Sequence, residues 1–92
     1  MASKETKTLD VPEHEDIKIV ATYKPDGLPL WDGTCTPAAW NGFFYHTKEK
    51  QKLFDGWGEV YEFGSLTITG LVALAGELLA CDFDEDYQYK GG

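Results

Sequence analysis

Residues 66–80, LTITGLVALAGELLA, form the most apolar run in the chain, and their periodicity decides the fold. From Leu71 onward, Leu71, Leu74, Ala75, Leu78 and Leu79 recur at helical spacing, with Ala73, Gly76, Glu77 and Ala80 on the other side. One stripe therefore faces a core, which predicts an amphipathic helix over 71–80. Thr69 is the expected N-cap, because its hydroxyl can accept from a free N–H of the first turn. Gly76 costs about 1 kcal/mol against alanine in such a helix, a cost that close approach of another element would explain.

Upstream of this run the period is two. In EVYEFGSLTIT (59–69), Val60, Tyr61, Phe63, Leu66 and Ile68 flank Gly64-Ser65, which predicts a hairpin with a II′-type turn. DIKIVATYK (16–24) alternates Ile17, Ile19, Ala21 and Tyr23 with Lys18, Val20, Thr22 and Lys24, which predicts a strand with one face inward. A short edge strand is expected near Thr6–Val11. PDGLPLWDGTCTP (25–37) reads as a loop with turns at Asp26-Gly27 and Asp32-Gly33. Asn41-Gly42, between Trp40 and Phe43, predicts a two-residue hairpin turn. The alternative starts a helix at Thr36 with Pro37 in its first turn, and must then tolerate Gly42. KEKQK (48–52) reads as a solvated turn or a short helical stretch.

These elements predict an α+β fold: a small antiparallel sheet with one C-terminal helix packed on a face. The 92 residues fit a single small domain with one core, with residues 1–15 fraying and 87–92 flexible.

Charge is distributed unevenly. Residues 1–54 hold seven lysines against eight acids, whereas residues 55–86 hold eight acids and no lysine. The net charge of -8 therefore arises almost entirely from one window, and the chain contains no arginine. A field of this sign repels a phosphate backbone, and bidentate guanidinium contacts are absent, so direct nucleic-acid binding is not expected. No apolar stretch approaches the roughly 20 residues of a membrane span, and the N-terminus lacks a signal-peptide core. A cytoplasmic protein with reduced Cys35 and Cys81 is expected.

Motifs for chemistry are weak. His14, Cys35, His46 and Cys81 make a zinc-competent set by type, but their gaps of 21, 11 and 35 positions are unlike the close ligand pairs of structural sites. Asp82-x-Asp84-x-Asp86 copies the first ligand positions of a calcium loop, then places Tyr87 where the loop needs glycine. Cys35, His46 and Asp32 can be assembled as a nucleophilic set only on paper. No cofactor, metal site or enzymatic activity is expected.

The acids after the apolar run either solubilise the chain or form an interface. In the second reading, a nonenzymatic binding module engages a basic protein surface through Asp55, Trp57, Glu59, Glu62, Asp82, Phe83, Asp84, Glu85, Asp86 and Tyr87, combining steering charge with aromatic anchors. A sharper form imitates nucleic-acid charge and occludes a nucleic-acid-binding protein, as small phage or mobile-element inhibitors do. The alternative is a structural or assembly subunit, or a homo-oligomer, that uses a sheet edge and the tryptophans. For Trp31, Trp40 and Trp57, each beside a turn, the bland reading is that they cover the ends of a small core.

Overall fold

The computed structural model describes residues 5–91. Five strands and one helix follow in the order β1 (Thr6–Val11), β2 (His14–Lys24), β3 (Ala39–His46), β4 (Gln51–Lys52), β5 (Glu62–Ser65) and α1 (Ile68–Asp82). All pairings are antiparallel, and the sheet runs β1-β2-β3 before its last lane is shared by two strands. β4 pairs with Tyr45 and His46 at one end of β3, and β5 with Trp40 to Phe43 at the other. The helix packs on one face, so the fold is the α+β arrangement expected from the sequence.

Alternation along β2 places Ile17, Ile19 and Ala21 inward, all fully buried. Phe44 on β3, Phe63 on β5 and Leu53 join them beneath Leu71, Ala75 and Leu79 of α1. The helix stripe is thus the expected one, with Leu74 and Leu78 packed at its flanks. β1 falls where the edge strand was read; the first four residues lie outside the described ones.

Two expected hairpins are corrected. Asn41-Gly42 is not a turn but the middle of β3, opposite Thr22 and Ala21. A side chain at Gly42 would lie 3.1 Å from Ile19 Cγ2 and 3.3 Å from Leu71 Cδ2, so glycine here admits the helix instead of reversing the chain. Gly64-Ser65 is likewise strand, in register with Asn41 and Trp40. Leu28 fills the place a side chain at Gly64 would take.

The helix also starts earlier than expected. Thr67, not Thr69, is its N-cap, and its hydroxyl accepts from Gly70 N–H at 2.9 Å. Among the described residues no heavy atom from elsewhere lies within 4 Å of the position a Gly76 side chain would occupy, so no close approach among them explains that glycine. No helix among the described residues is long and apolar enough to cross a membrane.

Candidate interaction surface: two acidic hairpins

Beyond Leu53 the chain leaves the sheet and returns at Tyr61, whose N–H donates to Leu53 O at 3.0 Å. Phe54 and Val60 bridge across this excursion. At its tip Asp55 N–H donates to Glu59 O at 2.8 Å, and Gly58 N–H to Asp55 O at 3.3 Å. The Asp55 carboxylate then accepts from the N–H groups of Trp57 (2.7 Å) and Glu59 (3.1 Å). An aspartate in this position supplies the acceptor that a tight turn otherwise lacks, and Gly58 takes the left-handed conformation (φ 79°) that closes it.

The same turn recurs after the helix. Phe83 and Tyr89 bridge, Asp84 N–H donates to Gln88 O at 3.0 Å, and Tyr87 N–H donates to Asp84 O at 3.0 Å. The Asp84 carboxylate accepts from Asp86 N–H (2.9 Å) and Gln88 N–H (3.0 Å). Where the first hairpin has Gly58, the second has Tyr87 at φ 60°, an uncommon conformation for a bulky residue. Its ring is held between two histidines: the hydroxyl lies 2.9 Å from His14 Nδ1, and the ring meets His14 and His46 edge-on at 5.8 and 5.3 Å. Burial pushes the Tyr87 hydroxyl above the ordinary tyrosine range, Asp16 adds to the shift and Lys48 opposes it.

The two hairpins adjoin. A side chain at Gly56 would lie 3.1 Å from Tyr89 Cε2, and a cleft between the tips is lined by Lys52, Phe54, Asp55, Tyr87 and Tyr89. Beneath them Phe44, Tyr61, Phe63, Phe83 and Tyr89 form one aromatic cluster, with neighbouring centroids 4.7 to 6.2 Å apart. The Tyr61 hydroxyl donates to the Asp82 carboxylate, tying the base of the first hairpin to the end of α1. Burial, and then this bond, hold the Tyr61 proton far above the usual tyrosine range.

The residues expected to bind a partner separate accordingly. Trp57, Glu59, Asp84, Glu85 and Asp86 are exposed on the two tips, with Asp55 half-buried beneath Trp57. Trp57 keeps 90% of its surface in water. Phe83 is 2% exposed and belongs to the core, not to an accessible surface. Glu62 stands apart on β5, where it accepts from Asn41 Nδ2 at 2.9 Å. Trp40 packs at the core's edge, whereas Trp31, at 106% exposure, covers nothing.

No family model, curated protein or solved structure matches the chain.

The groups weighed for chemistry stand as follows. Cys35 and Cys81 are both free and exposed. Cys35 bridges Pro29 just before β3 begins, whereas His46 ends that strand, so β3 separates the thiol from the imidazole. Asp32 accepts from the Thr34 hydroxyl (2.6 Å) and the Thr34 N–H (3.1 Å), which hold its carboxyl below the usual range. Among the described residues no three metal-competent side chains converge. His14 and His46 converge on Tyr87 instead, and the second hairpin was missed in the sequence because no glycine marks its turn.

Proposed function

We propose that this chain is a nonenzymatic binding module whose paired hairpins engage a basic surface on a partner protein. The observation that carries the reading is the juxtaposition itself: two hydrogen-bonded turns adjoin, and Glu59, Asp84, Glu85 and Asp86 are exposed on them beside a solvated indole at Trp57. A terminal run of acids that only aids solubility needs no fixed backbone. Here Tyr87 and Tyr89 pack against the core, and hydrogen bonds to Asp84 close the backbone that carries the carboxylates into a turn. Preorganised charge speeds encounter with an opposite surface, and a fully exposed tryptophan has most of its apolar area left to bury on docking.

Partners whose basic surface normally meets nucleic acid fit this description, which makes an inhibitor that mimics nucleic-acid charge the sharpest form of the proposal. A cytoplasmic location belongs to the same proposal: Cys35 and Cys81 are free and exposed, the state that a reducing compartment maintains.

The test is affinity capture from the native host at two ionic strengths, using the wild type, Trp57→Ala and Glu85→Lys/Asp86→Lys. Capture of a basic protein that weakens in high salt, and that both variants reduce, is the expected result. A captured partner that is indifferent to salt and to both variants overturns the reading.

A further inference from the structure

The face of the sheet opposite α1 carries a pattern that the hairpins do not use. By register, three full rows of side chains stand across the lanes, Thr6, Thr22, Asn41 and Gly64; Thr8, Val20, Phe43 and Glu62; Asp10, Lys18, Tyr45 and Lys52; a shorter fourth row, Lys24 opposite the fully buried Ala39, lies at the end where Leu28 covers Gly64 and stays outside the open area. An antiparallel sheet tolerates water on one face, so openness alone implies nothing. What distinguishes this face is its centre, where Val20, Phe43 and Tyr45 stand in place of polar residues, with Lys52 Nζ 4.9 Å from the centroid of the Phe43 ring.

Its charge is equally distinctive. Within the three rows two lysines balance two acids, on a chain whose net charge is -8. A second copy therefore meets no local excess of like charge here, unlike at the hairpins.

We propose that this face is the interface of a two-fold symmetric homodimer, two sheets packed face to face. The register supports one particular arrangement. An axis parallel to the strands, midway between β2 and β3, lays β1 of one copy over β4 and β5 of the other at the same height. Val20 then meets Phe43 of the second copy, Lys18 meets its Tyr45, Thr22 meets its Asn41, and Asp10 meets its Lys52. Each pairing occurs twice, as an isologous interface requires. Asp10 already pairs with Lys18 in its own chain, so the second lysine completes a three-charge cluster at each corner. Aligned sheets pack about 10 Å apart and about 30° off parallel, which keeps these corners within reach of a lysine side chain. Leu28, seated over Gly64, comes opposite Thr6, a small residue on the free edge.

Sedimentation equilibrium of the full chain tests this, with circular dichroism confirming that each variant folds. The wild type is expected to dimerise reversibly and Phe43→Glu to remain monomeric; if Phe43→Glu does not fold, Val20→Lys takes its place. Asp10→Lys and Lys52→Asp each weaken association by about tenfold or more, and the two together restore it to within about threefold of wild type. A wild type that stays monomeric at millimolar concentration overturns the proposal. So does a dimer insensitive to Phe43→Glu, a charge swap that rescues nothing, or a dimer abolished by Trp57→Ala. Lys52 also lines the cleft between the hairpins, so partner capture is compared only for Phe43→Glu, Val20→Lys and Asp10→Lys, which lie outside it; capture by a monomeric protein would sink this inference and leave the functional proposal standing.

Discussion

Gly42 of β3 lies directly beneath Leu71 of α1: a side chain at the glycine would come 3.3 Å from Leu71 Cδ2, with Ile19 Cγ2 at 3.1 Å and Phe63 Cε2 at 3.4 Å on its other sides. Helix and sheet meet there without a spare methyl's width. Gly42→Ala removes backbone freedom from the unfolded chain, a gain of under about 1 kcal/mol. Overpacking a close core costs about 1–3 kcal/mol, so the steric term wins. A fall in the urea midpoint is expected for Gly42→Ala, and a larger one for Gly42→Val. An unchanged midpoint for both would show that α1 is not seated as described.

Gly76 provides the opposite case on the same helix. Nothing from outside the helix approaches its missing side chain, and its φ lies outside the left-handed range. Gly76→Ala is expected to stabilise the fold by about 0.5–1 kcal/mol, the difference in helix propensity, visible as a raised Tm. A loss of stability would mean that the groove beside Val72 and Pro12 is narrower in solution than described and that a methyl group at Gly76 is crowded there.

The contrast between these glycines explains what was legible in the sequence. Period-two alternation at Ile17–Ala21 and the leucine stripe of α1 report burial directly, so the strand, the helix and the α+β class could be read. Glycine has two structural uses, reversing a chain and admitting a neighbour, and its letter does not say which. Asn41-Gly42 and Gly64-Ser65 carry turn signatures, yet both glycines serve close approach. The second hairpin failed in the converse way: its left-handed position holds Tyr87, a residue that local chemistry disfavours there. Contacts with His14 and His46, distant in sequence, support that conformation, and no local pattern can announce them.

Tyr61 should show itself at alkaline pH. Its folded-state pKa is raised, so its proton stabilises the native state fully below the ordinary tyrosine value. The native chain then binds more protons than the unfolded one, and stability falls as pH rises from about 10 toward the folded value. Spectrophotometric titration should find Tyr61 and Tyr87 ionising above the ordinary tyrosine range, with the Tyr61 step coinciding with unfolding. Tyr61→Phe loses the bond to the partly exposed Asp82, about 1 kcal/mol near neutrality, and flattens the alkaline decline. An alkaline decline equal to that of wild type would refute the assignment.

Asp84 lets turn and charge be separated. Its carboxylate accepts from Asp86 and Gln88 N–H at 2.9 and 3.0 Å, as that of Asp55 does from Trp57 and Glu59. An asparagine retains a carbonyl acceptor and the turn preference but not the charge, whereas alanine loses both. Asp84→Ala is therefore expected to cost about 1 kcal/mol, and Asp84→Asn only a fraction of that. The double variant Asp55→Asn/Asp84→Asn should keep the native circular dichroism spectrum while slowing association with a basic partner, most visibly at low salt, where screening is weakest. If Asp84→Asn destabilises as much as Asp84→Ala, the charge itself holds the hairpin. If the double variant associates at the wild-type rate at every ionic strength, these two carboxylates serve the turns alone, and steering must come from Glu59, Glu85 and Asp86.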